Sequence, residues 1–245
     1  MEYFSSRRTI RKYQNKRVED NIIEQIVADA THCPTTGNMQ LYSVVITRDR
    51  DIINALSPAH FGQLPLKTCD VVLTICADYN RFVKWCELRD AGPGYDNFQS
   101  FMSAVLDATI FAQQIVTIAE MRGLGTCYLG TTTYNAPQIA EVLNLPKRVV
   151  PITTITLGYP DEESEDCGRL PVDAVLHREK YHDYSEDDIN RFYAEKEARE
   201  DSRRFIEEND KQTLAQVFTD IRYTRDANEH FSKELLQYLR NWFEI

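Results

Sequence analysis

The feature that most restricts the fold of this chain is a long apolar helical pattern over residues 99–122. Apolar residues occur on nearly every side of the predicted helix, so we expect it to be buried, either at the centre of a domain or in a subunit interface. Asp107, Gln113 and Gln114 make it too polar for a membrane span. Gly123 is placed to cap its C-terminal end.

Shorter apolar runs around this helix predict strands at 42–47, 71–77 and 149–157, and the stretch 125–133 predicts a strand that ends in a hydroxyl-rich turn. The run 71–77 is continuously apolar, which indicates a strand with both faces covered. Helical spacing predicts helices at 19–31, 51–56 and 139–143. Residues 80–97 show little periodicity and predict an irregular insertion, either a lid or a surface excursion.

The chain from Ser185 onward is highly charged and helical, and Ser185 with Asp188 has the pattern of a capping box. Its sparse apolar residues favour an arm that lies across a partner subunit. The terminal ones are spaced to dock on another surface: Phe231, Leu235, Leu236, Tyr238, Leu239, Trp242 and Phe243.

Composition excludes several classes of function. A net charge of −10 argues against general binding of nucleic acid or of anionic membranes, because both need a basic face. The six cysteines form no C-x-x-C pair and have no histidine at metal-ligand spacing, so no metal site is expected. Nothing in the first residues resembles a signal peptide, and we expect a cytosolic protein.

A basic segment near the N-terminus stands out against this acidic background. It contains Arg7, Arg8, Thr9 and Arg11. Guanidinium groups match phosphate oxygens with forked N–H donors, and a hydroxyl can bind a further oxygen. A solvated basic segment before a helix is the alternative interpretation. The polar loop 34–40, rich in hydroxyls and amides, is by itself typical of a turn.

Taken together, the motifs resemble those of the FMN-dependent nitroreductase family. They are R-R-[ST]-x-R-x-[YF] at the basic segment, P-[ST]-[ST]-x-N-x-Q at residue 34, a long helix ending in G-L-G, and L-G-[YW]-P before R-L-P. They cover roughly the first 180 residues. The surroundings of Gly62–Gln63 and the charged C-terminal extension resemble the NADPH-preferring nitroreductase and flavin reductase branch.

The resemblance implies an α+β class and a three-layer α-β-α fold with a mostly antiparallel central sheet and a long buried helix. It implies a homodimer with FMN at the subunit interface and a C-terminal arm that wraps the partner subunit. Residues 1–184 would form the flavin-binding core. Residues 185–245 would be an extension of the same domain and part of the dimer interface.

The resemblance also implies where the cofactor contacts lie. Arg7, Arg8 and Thr9 match positions that hold phosphate and ribityl oxygens, and Arg11 matches a cation beside the flavin pyrimidine ring. Further matching positions are expected to act from the other subunit: Pro34, Thr35, Thr36 and Asn38. Gln63 matches an amide at the N3 and O4 edge of the ring, and Arg169 matches a second phosphate ligand. The turn that packs on the ring is matched by Leu129, Gly130 and Thr131. Two positions depart from the branch: Cys167 replaces a usual lysine, and Gln99 replaces an acid.

The implied activity is transfer of hydride from NADPH or NADH through FMN N5 to a nitroaromatic, a quinone or free flavin, in a ping-pong sequence without a catalytic side chain. Arg199, Arg203 and Arg204 are candidates for NADPH binding, with ion pairs along a helix face as the equal alternative. His60 is interpreted as a loop histidine. The rival hypotheses are a related flavin chemistry, such as reductive dehalogenation or flavin breakdown, and a non-catalytic flavin-binding protein.

Overall fold

The computed structural model describes residues 2–243, which divide into two compact units. The first unit contains the chain up to Ser164 together with the chain from Phe231 onward, and the second is Glu165–His230. This division does not test the predicted boundary between a core of residues 1–184 and an extension, which stays a prediction.

Four antiparallel strands form the sheet of the first unit. They are β1 (Tyr42–Thr47), β2 (Val71–Asp78), β3 (Gly125–Leu129) and β4 (Val149–Gly158). Their order in the sheet is β1-β2-β4-β3, so β1 and β3 are its edges. The predicted antiparallel sheet and α+β class are confirmed.

The first unit begins with seven helices: α1 (Glu2–Ser6), α2 (Asp20–Ala30), α3 (Arg50–Leu56), α4 (Leu64–Thr68), α5 (Asn80–Glu87), α6 (Phe98–Met121) and α7 (Ala136–Val142). The second unit contains α8 (Glu186–Ala198), α9 (Glu200–Glu208) and α10 (Leu214–Val217), and α11 spans Arg225–Arg240. The prediction of an irregular insertion was wrong for α5, where Val83 and Cys86 are buried one helical turn apart.

Helices cover both faces of the sheet. On one face, Leu73 and Ile75 of β2 pack with Phe111 and Ile115 of α6, and α2 completes this layer. On the opposite face, residues of β2 and β3 pack with α3 and α4, in the cluster Ile53, Leu66, Cys69, Val72, Cys127 and Leu129. The three layers and the doubly covered β2 were therefore predicted correctly.

The long helix α6 is buried on one side only within this chain. Its end has the predicted glycine: Gly123 has a φ of +80°, its N–H donates to Glu120 O at 2.9 Å, and the next residue, Leu124, donates to Ala119 O at 3.1 Å. The other side exposes the apolar side chains Leu106, Ile110 and Met121. The helix is apolar and long enough to cross a membrane by length and composition, but its buried side packs on the sheet as a core helix does.

The end of the chain packs on the first unit itself. Leu239 and Phe243 are buried in a cluster with Ala104 and Val150, and the rings of Phe101 and Phe243 are 5.3 Å apart. The prediction that the terminal apolar residues dock on a partner subunit is therefore wrong for Leu239 and Phe243. Their apolar face is instead covered by this chain's own α6 and β4.

Candidate active site

The basic segment lies against the edge strand β3. Ile10 N donates to Thr126 O at 3.0 Å, and a Cβ on Gly125 would stand 2.7 Å from Ile10 Cβ, so this close approach requires glycine. The Tyr13 hydroxyl donates to Ile10 O at 2.7 Å from inside the core. The backbone N–H groups of Arg11 and the next residue donate to the Glu162 carboxylate. The segment is therefore held by backbone hydrogen bonds at Ile10, Arg11 and Lys12 and by the hydroxyl of Tyr13.

Arg7 is held by a carboxylate of α6. Its Nε lies 3.1 Å from Glu120 Oε2, and the Tyr3 hydroxyl donates to the same oxygen at 2.7 Å. The Thr126 hydroxyl donates to the other oxygen of Glu120. Burial raises the pKa of Tyr3 to about 12, and the hydrogen bond from Tyr3 to Glu120 is the next largest cause. Glu120 thus orients Arg7 and balances part of its charge.

Arg8 and Arg11 are the other two arginines of the segment. Arg8 is half-buried and donates from Nη1 to Arg7 O at 3.0 Å. Arg11 is exposed. Burial raises the pKa of the Cys127 thiol on β3, and the guanidinium groups of Arg11 and Arg7 partly oppose that rise. Both guanidiniums therefore act electrostatically on the middle of β3.

A second group of predicted residues meets just beyond the C-terminal end of β3. Gln63 Nε2 lies 3.4 Å from Thr131 Oγ1, and His60 Nδ1 lies 2.9 Å from the same oxygen. Asn135 Nδ2 donates to Ala59 O at 2.8 Å and so fixes the backbone before His60. His60 was missed as a site residue, because a single histidine in a loop gives no sequence signal of its contacts.

The turn after β3 combines one buried and one open residue. Leu129 is fully buried, whereas Gly130 is exposed and a Cβ there would meet no atom within 4 Å. Thr126, beside the basic segment, and Gly130 are about 13 Å apart along the strand, at 3.3 Å per residue. The cationic group and the Gln63–Thr131 group therefore lie at two points of one edge strand.

The polar loop 34–40 is held by a different acid of α6. Asp107 is buried, and its Oδ1 accepts from Thr36 N at 2.8 Å and from the Thr36 hydroxyl at 2.9 Å. Its Oδ2 accepts from Leu41 N at 3.1 Å. Gly37 and Asn38 both have left-handed backbone angles, with φ of +54° and +57°. Pro34, Thr36 and Asn38 are exposed and Thr35 is half-buried.

Asp107 and Glu120 separate the predicted site residues into two places. The two acids are about 20 Å apart along the axis of α6, at 1.5 Å per residue. The structure thus brings Arg7 and Arg11 near β3, with the Thr9 hydroxyl 3.4 Å from Arg7 Nη1, and it brings Gln63 together with Thr131. It holds the loop 34–40 at a distant point of the same helix.

The remaining predicted site residues, Arg169, Arg199, Arg203 and Arg204, lie in the second unit. Arg199 Nε donates to Asp201 Oδ1 at 3.0 Å, and the same guanidinium donates to Asp166 O. Arg169 and Arg199 line a cleft of about 210 Å³ that also contains Cys167. Arg204 lies 3.9 Å from Glu208 as an ion pair along the helix, and Arg203 is exposed. Binding of phosphate or NADPH by these residues stays a prediction.

An antiparallel sheet between two helical layers, with a basic segment packed on one edge strand, defines the class of the protein as an α+β fold with a cationic sheet edge. The model of the Nitroreductase family matches residues 4–159, more than half of the chain, and the protein belongs to this family. It is an oxidoreductase, and the cofactor of the family is FMN.

Individual relatives agree with this assignment. The chain is 30% identical over 192 residues, 78% of each protein, to an oxygen-insensitive NADPH nitroreductase of Salmonella typhimurium. It is 31% identical over 176 residues, 71% of each protein, to an FMN reductase [NAD(P)H] of Bacillus subtilis. A crystal structure of a Bacteroides fragilis protein matches with a TM-score of 0.97 and 50% identity, covering 99% of this chain and 98% of that one.

The residues present fit FMN. Guanidinium groups on β3 suit a phosphate, the Gln63 amide can pair with a carbonyl or an imide N–H, and the open space at Gly130 leaves room for a flat ring. The predicted membership of the family and the predicted cofactor are confirmed.

Proposed function

We propose that the protein transfers hydride from NADPH, or less readily from NADH, through FMN to a small oxidant such as a nitroaromatic, a quinone or free flavin, in a ping-pong sequence. The names of the Salmonella and Bacillus relatives support the nucleotide donor and, among the acceptors, a nitro compound and free FMN. The observation that carries the proposal is the guanidinium segment fixed along β3, with Ile10 N bonded to Thr126 O.

In this proposal each group has a separate task. When bound, FMN supplies the redox chemistry, namely the uptake of hydride from the nucleotide and the release of electrons to the oxidant. Arg8 and the Glu120-oriented Arg7 bind the phosphate, and the exposed Arg11 stabilises negative charge that develops on the cofactor. Gln63 orients the ring by its amide, and Arg169 is a second phosphate ligand. These residues bind and orient, and no side chain takes part covalently.

We further propose a cytoplasmic homodimer. Support comes from the exposed apolar side chains of α6, because Leu106, Ile110 and Met121 would be covered by a second copy. The distance of about 20 Å along α6 between the loop 34–40 and the basic segment also favours a partner as the source of the loop. In that arrangement Pro34, Thr35, Thr36 and Asn38 of each subunit contact the cofactor of the other.

The decisive test is an anaerobic titration of the purified protein, followed by its visible spectrum. A bound flavin that NADPH bleaches faster than NADH, and that a nitrofuran or quinone reoxidises, is the expected result. Arg8→Ala should weaken FMN binding at least tenfold, whereas Arg89→Ala, an exposed arginine outside the site, should not. Flavin that is bound but not bleached would instead indicate a non-catalytic flavin-binding protein.

The choice of nucleotide is tested separately. The double change Arg203→Ala and Arg204→Ala should raise the KM for NADPH and leave the KM for NADH nearly unchanged. Arg178→Ala, another exposed arginine of the same unit, is the matched control. An unchanged KM for NADPH in the double variant would remove these two arginines from the nucleotide site.

A further inference from the structure

His60 is a fully buried histidine with one hydrogen-bond partner in the described chain. Its Nδ1 lies 2.9 Å from Thr131 Oγ1, and its Nε2 has no partner among the described residues. Burial alone lowers the pKa of His60 to about 4, so the ring is neutral at pH 7 and one of its two nitrogens carries the proton.

The surroundings decide which nitrogen is protonated. A proton on Nε2 would leave a buried N–H donor without an acceptor, whereas a proton on Nδ1 leaves only an unused lone pair. Buried donors without partners are rarer in proteins than under-used acceptors. The favoured tautomer therefore carries its proton on Nδ1 and donates to Thr131 Oγ1.

Gln63 adds a second donor to the same oxygen. Its Nε2, a group that can only donate, lies 3.4 Å from Thr131 Oγ1. A threonine hydroxyl has two lone pairs and one hydrogen, and His60 and Gln63 together occupy both lone pairs. The hydroxyl hydrogen of Thr131 is then left to donate to a third group, next to the open space at Gly130.

We infer that His60 is a positioning residue that fixes Thr131 as a hydrogen-bond donor toward the bound flavin ring. The inference rests on the proposed function and on the expected packing of the ring against Leu129, Gly130 and Thr131. A donor directed at a ring oxygen or nitrogen that gains electron density on reduction stabilises the reduced cofactor and raises its midpoint potential.

The tautomer can be measured without activity. Long-range ¹H–¹⁵N spectra of the histidine-labelled, FMN-loaded protein should show His60 as the Nδ1–H tautomer, with its signals assigned by their loss in His60→Asn. An Nε2–H tautomer would overturn the inference, because Thr131 would then donate to His60. It would also indicate that the Gln63 amide is the only donor to this hydroxyl.

The effect on the cofactor is measured as a midpoint potential. Thr131→Val and His60→Leu should each lower it by about 30 mV, which corresponds to a tenfold change for a two-electron couple. Thr131→Ser should retain the wild-type potential, and His60→Asn should restore most of it, because the asparagine Nδ2 can occupy the position of Nδ1. A merely structural contribution of His60 would not be rescued in this way.

Two failures can be told apart. Unchanged potential in Thr131→Val, with FMN bound as tightly as in the wild type, would overturn the inference and leave the proposed function intact. A wild-type protein that binds no FMN would overturn both, and its spectrum would show this directly. Because Thr131 is only half-buried, its variants test the inference even where His60→Leu fails to fold.

Discussion

Two acids of α6 hold the two separate parts of the candidate site, and they do so differently. Asp107 is buried and accepts hydrogen bonds from neutral donors, two backbone N–H groups and the hydroxyl of Thr36. Glu120 lies near the C-terminal end of the helix, where its side chain is 9% exposed, and it binds a cation, Arg7, as well as two hydroxyls. One anchor thus depends on geometry in the interior, and the other partly on charge.

The two kinds of anchor have different consequences for the loop 34–40 and for Arg7. A buried carboxylate is stable only while its hydrogen bonds are complete, so Asp107 restricts the loop 34–40 to one conformation. An ion pair within reach of water is replaced more cheaply by hydration. We therefore expect the loop to be rigid and sensitive to mutation, and Arg7 to be more tolerant.

The largest expected effect is from Asp107→Ala. This change leaves the N–H groups of Thr36 and Leu41 without an acceptor, and it should lower the free energy of unfolding by about 3 to 4 kcal/mol in urea titrations. Gln114→Ala, an exposed position on the same helix, is the control and should cost less than about 0.5 kcal/mol. A similar small loss for both variants would show that the buried anchor is dispensable.

His60 extends the comparison to a buried anchor without charge. Burial lowers the pKa of His60 to about 4 in the folded protein from its ordinary value of 6.5, so the folded state binds fewer protons between these values. Stability is then complete above pH 6.5 and is lost as pH falls from 6.5 toward 4. Between pH 7 and pH 5 the wild type should lose about 2 kcal/mol more than His60→Asn.

The control for this pH dependence is His32→Gln, which changes an exposed histidine and should keep the wild-type profile. Urea unfolding at the two pH values measures both. An identical acid loss in the wild type and in His60→Asn would mean that burial does not lower the pKa of His60 in the folded protein.

A smaller effect is expected from Glu120→Gln. The amide has one oxygen, which can accept from only one of the two hydroxyls, Tyr3 or Thr126, while its NH2 group faces the other. The change also removes the charge that faces Arg7, and it should cost about 1 kcal/mol. Glu163→Gln changes an exposed acid as the matched control. A loss as large as that of Asp107→Ala would remove the distinction between the two anchors.

The smallest effect is a dependence on salt. Raising NaCl from about 0.05 to about 0.5 M should reduce the difference between wild type and Glu120→Gln by only a few tenths of a kcal/mol, because salt screens a partly buried ion pair weakly. The cost of Asp107→Ala should not change, since the hydrogen-bond donors to Asp107 among residues 2–243 are neutral and the carboxylate is buried. Equal salt dependence of the two costs would contradict this contrast.

The strands and the long helix could be predicted closely from the sequence because their signal is local. The continuous apolar run of β2 and the pattern of α6 ended within one or two residues of the predicted limits. The prediction for α5 was wrong because Val83 and Cys86 give only one buried turn, too short a signal to recognise. The terminal residues Leu239 and Phe243 were recognised as a docking face, but their partner was assigned wrongly.

In the candidate site, too, local sequence patterns predicted only part of what the structure shows. The sequence by itself determined the family through its motifs, and the resemblance to that family implied the sheet between helices. The clustering of Arg7, Arg8 and Arg11 follows from their neighbouring positions in the chain. Only the tertiary structure decided that Asp107 holds the loop, that Glu120 holds Arg7, and that His60 contacts Thr131. Each of these contacts joins residues far apart in the chain, and hydrogen-bond partners at such separations depend on the packing of elements that no local pattern encodes.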